Sequence, residues 1–154
     1  MKKLAIIPSR YESSRFPGKP LVDLNGKSMI QRVYEGVEGA GLFDKTIVAT
    51  DDERIFNHVE SFGGEARMTS KNHESGTDRC GEVIKVFSDF DVVVNIQGDE
   101  PLVDKKQLDQ LISAFDDESV EIATLGTPKI TTAEYKDNNR IKIVVNHKND
   151  ALYF

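Results

Sequence analysis

Residues 4–7 read Leu-Ala-Ile-Ile and lead into the loop 8–21, Pro-Ser-Arg-Tyr-Glu-Ser-Ser-Arg-Phe-Pro-Gly-Lys-Pro-Leu. A short, unbroken apolar run is typical of a strand that is buried on both faces of a parallel sheet. Open α/β sheets bind their ligands beyond the carboxyl ends of such strands. The order of strand and loop therefore predicts that residues 8–21 lie at a ligand site.

The same loop carries the cations Arg10, Arg15 and Lys19. Guanidinium and ammonium groups donate hydrogen bonds to phosphate oxygens, and an anion placed among them relieves their mutual repulsion. The run from Pro17 to Pro20 stiffens the backbone where Lys19 is presented, which favours a built phosphate site. A solvated basic turn is the alternative interpretation.

Composition limits the classes of protein to which the chain can belong. Its 154 residues suit one domain, and its net charge of -6 argues against broad nucleic-acid binding. The single cysteine, Cys80, cannot form an intramolecular disulfide, so we expect a buried, inert thiol on a helix and a reducing compartment. No apolar run approaches membrane-spanning length, and we therefore expect a soluble, cytoplasmic protein without a membrane partner.

Short β-rich runs alternate with helical patterns along the chain. Strands are predicted at 3–8, 45–50, 65–68, 91–96, 120–127 and 141–146. Helices are predicted at 28–40, 51–62, 76–87 and 104–115. Such alternation predicts right-handed β-α-β units, and hence a Rossmann-like α/β fold with a mostly parallel sheet and helices on both faces. We expect a single nucleotide-binding domain over 1–154.

Three of the predicted helices begin at pairs of polar residues that resemble helix caps. The pairs are Thr50 with Glu53, Ser75 with Asp78, and Asp104 with Gln107.

Two further loops follow predicted strands and carry polar side chains. The loop 70–79, Ser-Lys-Asn-His-Glu-Ser-Gly-Thr-Asp-Arg, enters a helix, so backbone N–H groups at Gly76 and Thr77 can meet an anion or a base. A plain helix cap explains this segment equally well. The loop 97–101, Gln-Gly-Asp-Glu-Pro, puts a carboxylate after a buried strand, which is typical of Mg²⁺ held against phosphate. The alternative is a turn in which Asp99 caps the following helix.

The three loops on one sheet edge fit Mg²⁺-assisted transfer of a nucleotidyl group. The sequence does not match other common nucleotide-binding motifs. Gly26-Lys27-Ser28 resembles the end of a P-loop, but Leu21 stands where that motif requires glycine, so a turn is the better interpretation. The chain has no Gly-x-Gly-x-x-Gly motif, and its histidines lack the spacing of zinc ligands, so His73 is interpreted as a hydrogen-bonding loop residue.

The loop 7–21 resembles the opening motif of the 3-deoxy-manno-octulosonate (Kdo) cytidylyltransferase family, the CMP-Kdo synthetases. The segment 73–79, His-Glu-Ser-Gly-Thr-Asp-Arg, is similar to the family's His-Gln-Ser-Gly-Thr-Glu/Asp-Arg motif. The segment 95–101, Asn-Ile-Gln-Gly-Asp-Glu-Pro, is similar to its Asn-Val/Ile-Gln-Gly-Asp-Glu-Pro motif. Residues 47–51 and 151–154 also agree, so the resemblance covers essentially the whole chain.

The resemblance implies a nucleotide-diphospho-sugar transferase type of fold and a transferase that moves CMP from CTP to Kdo, releasing pyrophosphate, for lipopolysaccharide biosynthesis. It implies that backbone groups of Pro8 and Ser9 line the cytosine pocket. It further implies that Arg10, Arg15 and Lys19 hold the triphosphate.

The resemblance also implies roles for the other two loops. Ser75, Gly76 and Arg79 would complete the nucleotide site. Gln97 would face the nucleotide and the sugar, and Asp99 would bind Mg²⁺. The catalytic set that the resemblance implies is Arg10, Lys19 and Asp99.

The chain departs from the family pattern at Glu74, where glutamine is usual, and at Ser70, where some members have arginine. Family members continue beyond the segment matching 151–154 into a region with most sugar contacts, much of a homodimer interface and a second metal-binding aspartate. Residues 141–154 read as a hairpin whose second strand is cut short. We therefore expect a domain truncated at its carboxyl-terminal end, and a homodimer at full length.

Two alternatives stay open. In the first, the chain as it stands is a non-catalytic CTP-binding fragment. In the second, the protein is a nucleotidyltransferase for another acidic sugar. The prediction that Kdo is the acceptor rests on the resemblance alone.

Overall fold

A computed structural model describes residues 1–12 and 16–154. Its centre is a four-stranded parallel sheet in the order β3-β2-β1-β4. The strands are β1 (Lys3–Ser9), β2 (Lys45–Thr50), β3 (Ala66–Met68) and β4 (Val92–Asn95). The predicted α/β fold with a parallel sheet is confirmed.

Helices connect the strands. They are α1 (Met29–Ala40), α2 (Glu53–Ser61), α3 (Gly76–Ile84), α4 (Lys105–Ser113) and the short α5 (Thr132–Lys136). Turns of 3₁₀ helix occupy Lys19–Leu21 and Ala114–Asp116. Within the part of the chain that the structure describes, none of these helices has the length and apolar character needed to cross a membrane.

The apolar core has two layers because β1 is buried on both faces. Ala5 and Ile7 face a cluster that includes α1, α2 and α4, whereas Leu4 and Ile6 face α3. All four side chains are 0% exposed. Helices thus cover both faces of the sheet, as the alternating pattern predicts.

The strand order reverses beside β1, and this reversal determines where a ligand site can form. The chain runs outward from β1 to β2 and β3, then crosses through α3 to β4 on the other side of β1. The loops after β1 and β4 consequently diverge from neighbouring strands and leave a crevice between them, as at the switch point of doubly wound sheets.

The helix caps agree with the sequence at two starts and differ at the third. Ser75 and Asp78 form a reciprocal capping box on α3, and Asp104 caps α4, although it accepts from the N–H of Lys106 and forms no box with Gln107. The prediction for Thr50 is wrong. Thr50 is the buried last residue of β2, and the cap of α2 is Asp52.

The segment 26–28 is a turn, as predicted. Gly26 has a φ of 83°, and the Oγ of Ser28 caps α1 by accepting from the N–H of Gln31 at 3.1 Å.

The predictions for the last third of the chain are only partly right. No strand forms at 120–127; Ile122 and Leu125 are exposed there, and a β-rich run without a pairing partner cannot satisfy its backbone. Within 141–146 only β5 (Val144–Val145) forms, paired antiparallel with β6 (Ala151–Tyr153). The predicted hairpin is therefore present.

Truncation of the buried Ile55 on α2 tests the larger core cluster. Ile55 is 0% exposed and belongs to that cluster. We expect Ile55→Ala to lower the free energy of unfolding by about 2–5 kcal/mol, because the cavity adds to the lost burial. Urea denaturation measures this. The exposed Asn57→Ala on the same helix is the control and should stay within about 0.5 kcal/mol of the parent protein; equal losses in both variants would contradict the packing described here.

Burial raises the pKa of the Cys80 thiol to about 11. At pH 8 only about one thiol in a thousand is then ionised, so the native protein should react very slowly with a disulfide reagent. Labelling in urea should be fast and serves as the control. Because the raised pKa favours the protonated native state, the thiol's contribution to stability is present below the unfolded pKa and should be lost as pH rises toward 11. Fast labelling of the folded protein would show that the thiol is accessible.

Candidate active site

Three loops meet in one cleft of about 590 Å³ at the carboxyl edge of the sheet. They are the loop after β1, the loop that enters α3 and the loop after β4. The residues that line the cleft are Pro8, Ser9, Arg10, Phe16, Lys19, Pro20, His73, Ser75, Gly76, Arg79, Gln97, Gly98 and Asp99.

This lining contains every site residue named from the sequence except Arg15, which lies outside the described residues. It also contains four residues for which the sequence predicts no ligand contact: Phe16, Pro20, His73 and Gly98. The feature of the sequence that could have indicated them is their position within the three polar loops. The structure shows that these residues are neighbours, while the roles assigned to them stay predictions.

An ion pair joins the first loop to the third across the cleft. The Nζ of Lys19 lies 2.6 Å from the Oδ2 of Asp99. Both side chains are partly exposed, at 38% for Lys19 and 51% for Asp99, so water screens their attraction. Each group is therefore paired but remains able to exchange its partner for a ligand.

Gly98 lets the third loop lie directly against the end of β1. A Cβ on Gly98 would lie 3.0 Å from the carbonyl oxygen of Pro8 and 3.5 Å from the Cγ2 of Ile7. Any larger residue must push the loop away from the strand. Glycine at this position therefore allows the close approach of the third loop to β1.

Ser9 lines the cleft and has a buried hydroxyl group. It is 5% exposed, and its Oγ has no hydrogen-bond partner among the described residues. A buried hydroxyl without a partner is uncommon in folded proteins and is costly. The Oγ1 of Thr46 is buried and without a partner in the same way among the described residues.

The start of α3 forms one wall. The side chain of Ser75 is used in the capping box, where its Oγ accepts from the N–H of Asp78 at 3.1 Å. The alternative of a plain helix cap is thus realised for Ser75, and a ligand at this wall would meet backbone N–H groups of the first turn. Gly76 packs on the ring of Pro8, where an added Cβ would lie 3.1 Å from the Pro8 Cγ.

Arg79 lines the cleft beside that wall, is almost fully buried and carries an ion pair. Its Nη2 donates to the Oδ2 of Asp51 at 2.8 Å, and its Nη1 contacts the Oγ1 of Thr69 and the carbonyl of Ser70. The side chains of Arg79 and Asp51 are 4% and 15% exposed. Arg79 therefore ties α3 to the ends of β2 and β3, and a contact of its guanidinium with nucleotide stays a prediction.

His73 is a hydrogen-bonding loop residue, as the sequence indicates. Its Nε2 lies 2.5 Å from the Oε2 of Glu82, which also accepts from the N–H of Ser70 at 3.0 Å. The N–H of Ser70 and the His73 ring together lower the pKa of the Glu82 carboxyl. Glu82 thereby fastens the second loop to α3.

The described residues contain no group of three or more acidic, histidine or cysteine side chains that could hold a metal ion by themselves. Asp99 is the carboxylate that lines the cleft. Mg²⁺ commonly binds through one or two carboxylates together with substrate phosphates and water. The donor set therefore fits Mg²⁺ that arrives with a phosphorylated ligand.

The fold is that of the nucleotide-diphospho-sugar transferase class of α/β proteins, and the polar cleft lies at the switch point of its sheet. A family model described as "Cytidylyltransferase" matches residues 4–154, and the chain belongs to that family.

Relatives and a solved structure agree with this family. The chain is 49% identical to the 3-deoxy-manno-octulosonate cytidylyltransferase of Parabacteroides distasonis and 52% identical to that of Bacteroides thetaiotaomicron, with 100% of the chain covered in each case. It spans 62% of the length of both relatives. A structure of CMP:2-keto-3-deoxy-manno-octonic acid synthetase complexed with CTP matches with a TM-score of 0.89 and 41% identity, covering 99% of this chain and 63% of that one.

Substitution of Gly98 tests the contact between the third loop and β1. We expect Gly98→Ala to lower the free energy of unfolding by about 1–3 kcal/mol, because the new Cβ meets backbone that cannot yield easily. Chemical denaturation measures the change. Gly39→Ala, where an added Cβ meets nothing within 4 Å, is the matched control and should be neutral or stabilising. A Gly98→Ala protein as stable as its parent would show that the loop is free to move.

Proposed function

We propose that the full-length protein transfers CMP from CTP to Kdo and releases pyrophosphate, as part of lipopolysaccharide biosynthesis in the cytoplasm. The observation that carries this proposal is the meeting of three loops with cytidylyltransferase motifs in one cleft. The names of the relatives support Kdo as acceptor, and the CTP complex of a similar protein supports CTP as donor.

In this proposal the first loop and the start of α3 hold the nucleotide. Backbone groups at Pro8 and Ser9 receive the cytosine. Arg10 and Lys19 bind the triphosphate with Arg15, while the amide end of α3 at Gly76 adds partial positive charge. Arg79, which lines the cleft beside Gly76, completes the nucleotide site.

Asp99 would hold Mg²⁺, because it is the cleft carboxylate and is accessible to a metal ion that a triphosphate brings. When bound, Mg²⁺ would neutralise charge on the phosphate oxygens. Lys19 then exchanges Asp99 for phosphate, so that neither side chain is left unpaired.

Catalysis in this proposal is mainly positioning and charge neutralisation. The anomeric hydroxyl of Kdo attacks the α-phosphorus of CTP in line with the departing pyrophosphate, and no covalent enzyme intermediate forms. Arg10 and Lys19 stabilise negative charge that passes to pyrophosphate. Gln97, at the carboxyl end of β4, faces nucleotide and sugar and orients the attacking hydroxyl.

We also propose that the full-length protein is a homodimer. The resemblance to the family supports this, and the exposed apolar side chains of the β5–β6 hairpin, among them Val144, Val145, Leu152 and Tyr153, would be covered in the full-length protein by a partner subunit or by its own further residues. Sedimentation of the full-length protein tests this, and a monomer at micromolar concentration would refute it.

Replacement of Asp99 tests the metal role. We expect Asp99→Asn to abolish Mg²⁺-dependent turnover in the full-length protein while leaving its fold intact, since the amide keeps the shape of the side chain but loses its charge. Pyrophosphate release measures turnover, and circular dichroism checks the fold. Asp109→Asn, an exposed carboxylate on α4, is the control and should keep full activity. An active Asp99→Asn protein would refute the metal role.

The reaction itself is tested by pyrophosphate release from CTP and Mg²⁺, with and without Kdo. Kdo-dependent release is the expected result. Release with a different acidic sugar in an acceptor panel would correct the acceptor and keep the transferase. CTP binding by calorimetry without release, for any acceptor, would identify a binding module and overturn the enzymatic proposal.

A further inference from the structure

The first loop is closed at its base by contacts that do not belong to the cleft lining. The backbone N–H of Gly18 donates to the carbonyl of Tyr11 at 2.9 Å. Gly18 has a φ of 72°, and a Cβ added there would lie 3.1 Å from Tyr11 ring atoms. Tyr11 directly follows Arg10 and Gly18 directly precedes Lys19, so this closure fixes the spacing between the two cleft cations.

The ring of Tyr11 is itself held by α2. The guanidinium carbon of Arg54 lies 3.3 Å from the centre of the Tyr11 ring, a cation–π contact. Tyr11 is also partly buried against the larger core cluster. The base of the loop is thus packed between the core and a cation on the neighbouring helix.

Arg54 is in turn fixed by the cap of its own helix. Asp52 accepts from the Nε of Arg54 at 2.9 Å and from its Nη2 at 2.6 Å, a forked pair that orients the guanidinium plane. This pair lowers the pKa of the Asp52 carboxyl, which therefore stays ionised at neutral pH. Asp52 stands just beyond β2, so the loop after β2 supports the loop after β1.

We infer that Tyr11 and Arg54 are positioning residues for the phosphate cations of the first loop. Neither Tyr11 nor Arg54 is among the described residues that line the cleft. They hold the base of the loop so that Arg10 and Lys19 face the same chain of phosphates. This inference rests on the proposed function, in which that loop binds the triphosphate of CTP.

The test compares CTP with CMP, which keeps the base, ribose and first phosphate but lacks the outer two. Calorimetry on the full-length protein gives the ratio of the two affinities. We expect Arg54→Ala and Tyr11→Leu each to lower the ratio of CTP to CMP affinity by about three- to fivefold, the range of an exposed cation–π contact. General destabilisation would weaken both ligands equally and leave this ratio unchanged.

Control variants distinguish loss of the contact between Arg54 and the Tyr11 ring face from loss of the Tyr11 hydroxyl or of surface charge. Tyr11→Phe keeps the face and should retain the parent ratio. Arg140→Ala removes another exposed arginine with a carboxylate partner, outside the cleft, and should also retain it. The double variant Tyr11→Leu with Arg54→Ala should lose no more than the larger single loss, because both changes break one contact. Should Tyr11→Leu fail to fold, the exposed Arg54 still decides the matter.

An unchanged ratio in Arg54→Ala, a Tyr11→Phe protein that behaves like Tyr11→Leu, or additive losses in the double variant would each overturn the inference. Failure of the parent protein to bind CTP at all would instead overturn the proposed function. The two failures are therefore distinguishable.

Discussion

The burial of β1 on both faces is the constraint on which the rest of the structure depends. Its four apolar side chains contact opposite core clusters, and its two edges pair with β2 and β4. A strand so enclosed can contact a ligand only at its ends, and open α/β sheets bind ligands at the carboxyl end. The polar residues that follow it are therefore forced to the one place where loops from both halves of the sheet meet.

Local patterns in the sequence carry most of this architecture. Apolar runs mark β1, β2 and β4, and the cap at Ser75 marks the start of α3. Because parallel strands open onto one edge, the three polar loops were predicted to share a site, and their side chains do line one cleft. Period and capping are properties of neighbouring residues, which explains why sequence reasoning reaches them.

Contacts between distant segments lie beyond such reasoning. Nothing near Arg79 indicates that Asp51 is its partner, and nothing near Tyr11 indicates Arg54; both pairs exist only once the loops are folded side by side. The prediction of a strand at 120–127 was wrong for a different reason. Its residues favour a strand, but a strand needs a neighbour to satisfy its backbone, and propensity does not supply one. The helix Thr132–Lys136 was missed although Thr131 and Glu134 form a capping box that the sequence displays.

The pair of Lys19 with Asp99 has a consequence for what the cleft accepts. In the free protein these opposite charges satisfy each other across the mouth of the site. An isolated anion that binds Lys19 leaves the Asp99 carboxylate without its partner and next to another negative charge. An isolated cation that binds Asp99 leaves Lys19 without its partner in the same way. A ligand that carries both signs of charge gives each group a new partner, and because both side chains are partly exposed, water lets the pair open at little cost.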